Sequence, residues 1–471
     1  MLKTLILSSV IFIALISDIF AEELTTKTLR EDLQAYYLDG VMHNEELFVT
    51  VYDPLTNNLN LWSASGGEVK IANGINGYEH PSITVIDGKI AVAYFDSAAL
   101  SYKLWIDKSG NLQAEEDEFL TVALFTQSST PVNRNISLIE FKGKALLVYP
   151  DLVTRALKVW YDDDSDFVAD PEEVNRVGLH SGSNPNAAIW NDKLTISYLD
   201  KEYSATPRGL ILVSTSMSVW HDKNEDLDSS LDETVTIETS DKIMGENSMT
   251  VYDGHLAITY LIETEGKLKL WNDKDGDFEP AATEIQFLDH FTQSYYPSIF
   301  VYNDNLAIAC KHWAYPESQV NLWFDDGDGE IASTEMLALK SDTEGDYGNL
   351  LRLIRHKDSF KMAYTTANTG GLTSDLLIAE PVQDETTGVV SLNTNDTNAS
   401  GAARKKSSGK KCIITENSSS CYFIVIAFLC LTLALGKKLK GMGNENQGSC
   451  RNLRFYRTFS RYLGGINSQE Q

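Results

Sequence analysis

Short apolar runs recur along the chain, and the second run of each recurrence ends in an aromatic slot. The runs are LFVTVY to Tyr52, IAVAY to Tyr94, ALLVY to Tyr149, LTISY to Tyr198, LAITY to Tyr260, LAIAC to Cys310 and FKMAY to Tyr364. A further run closes on tryptophan at Trp62, Trp105, Trp160, Trp220, Trp271 and Trp323, and the last copy reads LLIAE at Leu376 to Glu380 instead. Alternation of apolar and polar positions, rich in Val, Ile, Tyr and Trp, predicts strands. The pairs Asp87-Gly88, Lys142-Gly143, Asn191-Asp192, Asp253-Gly254 and Asn303-Asp304 fall between the first and second strand of a unit. Such pairs adopt the positive φ angles that a two-residue hairpin needs. A fourth strand follows the tryptophan, as at 119–125 and 284–288.

The aromatic slots are 42 to 62 residues apart, the length of a four-stranded antiparallel meander. One such sheet cannot bury both faces, whereas seven packed radially can. The expected fold is therefore all-β: a seven-bladed β-propeller of four-stranded antiparallel blades over 24–392, with the repeated Tyr and Trp as core between blades.

The units, Pro81-Ser82-Ile83 through Tyr94 and Asp96 to Trp105 and Pro297-Ser298-Ile299 to Trp323 among them, resemble propellers of secreted and surface-bound bacterial proteins. The resemblance implies the architecture. It implies little about activity, because propellers host binding modules, hydrolases and scaffolds alike.

Acidic loops follow the tryptophans. Oxygen-bearing side chains stand at loop positions 1, 3, 5 and 12: Asp107, Ser109, Asn111 and Glu118; Asp162, Asp164, Asp166 and Glu173; Asp222, Asn224, Asp226 and Glu233; Asp273, Asp275, Asp277 and Glu284. In a fifth loop, starting at Asp325, Gly327 and Gly329 take positions 3 and 5, and Glu335 comes one residue early. Calcium takes six to eight hard oxygens in a flexible cage, so this spacing makes Ca2+ the expected ion. The spacing is that of EF-hand loops, but position 6, glycine there, is Leu112, Phe167, Leu227 or Phe278 here, and the flanks are strands. The competing reading is that Asp, Asn and Gly merely favour turns.

Hairpins and acidic loops share one face of such a propeller. The opposite face carries the loops between second and third strands and between blades. Its candidate ligand residues are Tyr78, His80, Asp96, Gln127, Asp200, Gln293, Tyr295, Tyr296, His312 and Trp313, with Glu79 and His180 beside them. Aromatics mixed with amides and carboxylates suit a glycan or a protein. No nucleophile constellation, metal-type histidine spacing or Gly-rich phosphate loop is readable, so no catalytic residue is assigned.

The ends set an expected location. Residues 1–21 read as a secretory signal peptide. Residues 393–417 form a polar stalk, 418–436 an apolar run read as one transmembrane helix, and 437–471 a basic tail retained in the cytoplasm. The expected chain is single-pass, with a monomeric ectodomain outside the cell. Release by processing of its sorting-like tail is the alternative.

The net charge of the 471 residues is −28. From Arg404 onward twelve Lys/Arg face three Glu, a net of +9, which leaves −37 on 1–403. A body that acidic repels phosphate backbones, so nucleic acid is excluded as a partner. Of five cysteines only Cys310 lies in the body, so no internal disulfide framework is expected. The function expected from these features is cell-surface binding or adhesion with calcium-stabilised loops. The alternatives are a glycan-acting hydrolase or lyase, and a structural surface protein without a small ligand.

Overall fold

The computed structural model describes residues 24–33, 37–53, 55–74, 80–126, 135–177, 181–206, 209–227, 233–240, 243–262, 267–288, 294–302, 304–314, 317–325, 331, 336–340, 347–356, 359–367, 374–383 and 390–391. Their regular structure is strand, apart from three 3-10 turns of three residues each. The signal peptide, stalk, apolar run and basic tail expected at 1–21, 393–417, 418–436 and 437–471 lie outside the described residues. Among the described residues no helix is long and apolar enough to cross a membrane.

The strands form six four-stranded antiparallel sheets, spanning 37–72, 82–124, 137–177, 181–240, 243–287 and 294–340, each in plain chain order. They are six blades of a propeller. The seventh sheet is built differently. Tyr347–His356, Ser359–Ala367 and Ser374–Gln383 supply three strands, and the fourth is the N-terminal strand Leu24–Leu33. It pairs antiparallel with Ser374–Gln383, from Leu24 opposite Pro381 to Leu33 opposite Ser374. A fifth, two-residue strand, Val390–Ser391, pairs with the end of Ser374–Gln383. The expectation that the first blade begins at Leu24 is corrected: that blade begins at Tyr37. The seventh unit lacks the Trp–loop–Glu signature because its outer strand arrives from the other end of the chain.

The first strands of successive sheets pack side by side, and Tyr347–His356 packs against Tyr37–His43, so the ring closes. These strands line the axis. Their inward edge has no neighbouring strand in its own sheet, and its N–H groups need other acceptors. The preceding blade supplies them. Ser82 Oγ accepts the N–H of Leu138 at 3.0 Å, Ser137 Oγ that of Ala187 at 3.0 Å, Ser248 Oγ that of Ile299 at 3.2 Å and Ser298 Oγ that of Leu353 at 3.0 Å. At the first junction Asp39 replaces the serine, and its Oδ2 accepts the N–H of Ile83 at 3.1 Å. At the fourth, Asn247 Nδ2 donates to the Asn184 carbonyl at 2.7 Å, and Asn247 Oδ1 accepts the Ser197 hydroxyl at 2.7 Å. At the last, Arg352 occupies the slot and faces Asp39 instead, Nε to Oδ1 3.7 Å.

Behind the axis, seven apolar clusters each mix residues of two adjacent sheets. One joins Tyr52, Leu59 and Leu61 to Ile90, Tyr94 and Trp105, and another joins Ile354 and Ala363 to Leu38 and Trp62. Trp105, Trp160, Trp220, Trp271 and Trp323 are at most 1% exposed, and the buried Cys310 fills the sixth aromatic slot. The repeated aromatics are therefore core, as expected. The hairpins also form as expected, with positive φ at Asp87, Gly88, Lys142, Gly143, Asn191, Asp192, Asp253 and Gly254.

Replacing Ser137 by Ala leaves the Ala187 N–H without its acceptor between two blades. The expected loss is about 1–3 kcal/mol, read as a lower melting temperature by circular dichroism. The same substitution at an exposed serine such as Ser204 should leave it unchanged.

Candidate functional site

Two groups of residues stand out, one at each end of the axis. On the hairpin face are the acidic loops. Each starts with an aspartate whose N–H bonds back to the second strand of its own blade: Asp107 to Ile90, Asp162 to Ala145, Asp222 to Leu194, Asp273 to Leu256 and Asp325 to Leu306. This anchor draws the position-1 side chain inward, so these five aspartates are at most 6% exposed. In the loops starting at Asp107, Asp162, Asp222 and Asp273, positions 3 and 5 remain exposed.

The backbone has the same shape in four loops. Position 4 is left-handed at Gly110, Ser165, Glu225 and Gly276, and position 6 at Leu112, Phe167, Leu227 and Phe278, with φ between 53° and 70°. A bulky residue in that region is strained by about 1–2 kcal/mol. Packing holds it there: Phe278 is 2% exposed and stacks on Trp190, ring centroids 5.7 Å apart. The glycine of position 6 is thus replaced by an apolar anchor with unchanged backbone geometry.

Glu118, Glu173 and Glu284 at position 12 are buried at the ends of the 3-10 turns. Their carboxylates staple the loops. Glu173 Oε1 accepts the Asp163 N–H at 3.0 Å, and its Oε2 accepts the Asp170 N–H and the Trp160 indole, both at 3.0 Å. Glu118 does the same with Ser109, Glu115 and Trp105. Burial pulls the Glu118 carboxyl upward, yet those donors together hold it below the usual range. Glu284 accepts the N–H groups of Lys274 and Ala281.

Carboxylates converge in two loops. Oxygens of Asp162, Asp164 and Glu173 lie within 4.8 Å of one another, as do those of Asp273, Asp275 and Asp277. Asp162 Oδ1 and Asp273 Oδ2 are buried without a hydrogen-bond partner. Burial first, then the Glu173 and Asp164 charges, pushes the Asp162 carboxyl up. Burial raises Asp273 likewise, helped by Glu284, Asp275 and Asp277. The other two loops differ. In one, Asp107 Oδ1 accepts the N–H of Asn111 at 3.1 Å and Leu112 at 3.3 Å, with Ser109 Oγ at 3.4 Å. In the other, Asn224 Nδ2 donates to Asp226 Oδ2, both Asp222 oxygens are buried without a hydrogen bond, and the Glu233 side chain lies outside the described residues.

At the other mouth, four first strands begin irregularly. Register shifts fall between Ser183 and Asn186, Ile243 and Asn247, Tyr295 and Ser298, and Tyr347 and Leu351. Such bulges re-aim side chains. His80, in the second blade, and Glu246, in the fifth, belong to non-adjacent sheets of the ring, yet His80 Nε2 lies 3.7 Å from Glu246 Oε1. They meet across the axis. Tyr37 packs on the His80 ring at 3.9 Å between centroids. The His80 N–H donates to Asn135 Oδ1, and Asn135 Nδ2 donates to Asn184 Oδ1 at 2.9 Å. The Asp39–Arg352 pair stands beside them. Burial pushes the Glu246 carboxyl up to about 7, against the pull of Arg352 and of the Tyr296 N–H. Burial and then the Arg352 charge hold His80 well below its ordinary value, so it is neutral at pH 7.

Of the ligand residues expected from sequence, His80 lies in this axial cluster, and Tyr296, at φ 55°, contributes its backbone N–H. Asp96 is a loop staple: Oδ1 accepts the N–H groups of Ala98 and Ala99 at 3.0 Å, and Oδ2 pairs with Lys103 at 2.6 Å. Asp200 sits half-buried at the matching place in the fourth blade. Tyr78, Glu79, Gln127, His180, Gln293 and Glu335 lie outside the described residues, as do the side chains of Tyr295, His312 and Trp313. Sequence reading missed Tyr37, Asp39, Asn135, Asn184, Glu246 and Arg352. The available signal was departure from the repeat: Asp39 and Arg352 stand where four other blades carry serine.

No protein-family model matches the chain, and no curated protein does. Solved structures resemble it at low identity. A puromycin-hydrolysing peptidase of Mycobacterium tuberculosis aligns at 10% identity and TM-score 0.49 over 77% of this chain, which spans about half, 52%, of that protein. The polysaccharide lyase Uly1 aligns at 9% and 0.49, covering 76% of this chain and 99% of its own. Virginiamycin B lyase of Staphylococcus aureus aligns at 8% and 0.44, over 76% and 99%. Likeness at this level extends to the propeller arrangement alone.

Glu173→Ala removes the acceptor of the buried Trp160 indole N–H and of two part-buried backbone N–H groups and should cost about 1–3 kcal/mol. The Trp160 environment should open with it, read as a red shift of tryptophan emission. Unchanged emission and melting would show that the loop does not depend on the staple.

Proposed function

We propose that this chain is an extracellular ligand-binding propeller, presented at a cell surface, whose hairpin-face loops take calcium and whose opposite mouth takes the ligand. The observation that carries the calcium reading is the pair of buried, unpartnered oxygens, Asp162 Oδ1 and Asp273 Oδ2, each among three converging carboxylates. A buried carboxylate oxygen without a donor is costly, and a cation removes the cost. Asp162, Asp164, Asp166 and Glu173 would hold one ion, and Asp273, Asp275, Asp277 and Glu284 another. The loops starting at Asp107 and Asp222 offer fewer carboxylates and would bind more weakly. The mixed polar and aromatic surroundings of His80 support the opposite mouth as the ligand face. A glycan-acting lyase or hydrolase is the second reading, favoured by the acid–base pair His80–Glu246.

Extracellular calcium modules bind at about 10⁻⁴–10⁻³ M. In millimolar calcium, about one to ten times that Kd, one site adds about 0.4–1.4 kcal/mol. The melting temperature in millimolar calcium should therefore exceed that in chelator by several degrees, and magnesium should do less.

The sign of the pH effect follows from the raised carboxyls. Folded values above the ordinary 3.8 mean that ionisation of Asp162 and Asp273 opposes folding in chelator. Their stabilising contribution is complete below the unfolded value and is lost as pH rises through the folded one. Asp162→Asn with Asp273→Asn should therefore raise the melting temperature in chelator, more at pH 7 than at pH 4, and abolish the response to calcium. Equal melting of the parent in chelator and in calcium removes the metal from the proposal. A glycan array and a cell-surface extract probed with residues 22–392 test the binding reading.

A further inference from the structure

We propose that Trp190 and Phe278 position the Asp273 loop for its ion, so that calcium in the fifth blade also clamps that blade to the fourth. This rests on the reading of the loop as a calcium site, and it adds what governs the site from outside the ion's own ligands.

Ile86, Phe141, Trp190 and Tyr252 hold one place in the repeat. Each is the last residue of its blade's first strand, just before the hairpin turn, in the second to fifth blades. Each is matched with the acidic loop of the following blade. Ile86 shares an apolar cluster with Phe167, and Phe141 shares one with Leu227. Trp190 stacks on Phe278, ring centroids 5.7 Å apart and planes at 23°. Phe167, Leu227 and Phe278 all stand at position 6 of their loops. Tyr252 differs, because its hydroxyl donates to Asp325 Oδ2, at position 1, at 3.0 Å.

The fifth and sixth blades therefore treat the buried first aspartate in opposite ways. In the sixth, Gly327 and Gly329 take the places of oxygen ligands, and a hydroxyl from the neighbouring blade answers Asp325. In the fifth, the neighbour offers no donor to the aspartate. The Trp190 indole N–H is committed to the Gly254 carbonyl at 2.7 Å, and Asp273 Oδ2 stays buried without a hydrogen bond. Asp275 and Asp277 converge on the same aspartate. At these two junctions the neighbour supplies a hydroxyl where the loop lacks ligands and an aromatic support where it has them.

That support bears on the ion through the backbone. Position 6 is left-handed, φ 63° at Phe278, and its N–H points to Asp273 Oδ1 at 3.4 Å. Phenylalanine is strained in that region, and glycine is not. A buried wedge keeps the residue there. Trp190 and His221 pack with ring centroids 4.8 Å apart, His221 and Phe278 with centroids 5.6 Å apart, and Thr195 Oγ1 meets His221 Nδ1 at 2.9 Å. Thr195, His221 and Trp190 belong to the fourth blade, whereas Phe278 belongs to the loop of the fifth. A loop held in its binding shape before the ion arrives loses little freedom on binding, and its affinity is higher for it. Linkage makes the effect mutual: whatever the stack adds to calcium affinity, calcium adds to the stack.

Calcium chloride titrated calorimetrically at pH 7 tests this, in an Asp162→Asn background so that the fifth blade holds the strongest remaining site. Phe278→Gly should bind calcium about threefold to tenfold more weakly, the worth of one aromatic pair, although glycine suits the backbone better. Phe278→Leu, with the side chain that Leu112 and Leu227 place at position 6, should lose less. Trp190→Leu, in the other blade, should weaken binding as well, and adding it to Phe278→Gly should cost little more. Calcium should also slow hydrogen exchange over 183–190 and 251–258, at the junction of the fourth and fifth blades, more than over 298–302 and 353–360, at that of the sixth and seventh. If the glycine variant does not fold, this exchange measurement on the background protein decides. The proposal is overturned if Phe278→Gly binds calcium as tightly as the background protein or more tightly, if Trp190→Leu leaves the affinity unchanged, or if exchange slows equally at the two junctions. A background protein that binds no calcium removes the metal reading and this one with it, whereas undiminished binding by Phe278→Gly removes only this one.

Discussion

The ring depends on what its innermost strands do with N–H groups that no neighbouring strand accepts. An open sheet edge is a site for wrong pairing. Here it is turned toward the next blade and, at five of the seven junctions, satisfied by one side chain: Asp39, Ser82, Ser137, Ser248 and Ser298 each accept an N–H from the following sheet. A hydroxyl or carboxylate does this at short reach, which lets the sheets approach closely enough for Trp105 and its counterparts to be excluded from water between them. The apolar clusters supply most of the energy, and the serine contacts fix the rotation of one blade on the next.

The same relay accounts for the polar residues at the axis. A serine slot repeated without variation would make every junction alike and the mouth chemically uniform. The last junction breaks the pattern. Arg352 cannot accept an N–H, so it faces Asp39, and a charged pair stands where two neutral contacts would have been. The irregular strand starts in the fourth to seventh sheets add to this, because a bulge gives Asn184, Glu246 and Tyr296 directions that a regular strand would not. At the hairpin end, by contrast, four loops keep one backbone shape.

This division explains what could be read from the sequence. Period, hairpin pairs and aromatic slots are local and repeated, so Tyr94, Trp105 and Asp87-Gly88 were assigned correctly. The acidic loops were legible as oxygen spacings, but position 12 was read as a metal ligand when its first role is to hold a tryptophan indole and two backbone N–H groups. That role depends on the depth of Glu173, which spacing does not report. Ser82 was seen as part of a Pro-Ser-Ile motif without a reason for the serine, because its partner, Leu138, lies in the next blade. The axial pair was invisible: His80 and Glu246 are brought together only by closing the ring. The pairing of Leu24–Leu33 with Ser374–Gln383 was missed for the same reason.

That last pairing ties the N-terminal strand to the end of the ring through an antiparallel ladder. All other sheets assemble from consecutive segments, but this one waits for a partner some 350 residues later. Such long-range contacts form late, since the intervening chain must first be ordered. The clasp therefore decides when synthesis has delivered a finished object, and any nascent chain stopped before Ser374 keeps an unmated strand at its start. It also places Leu24 beside Pro381, so entry to and exit from the ring lie at a single point on its rim.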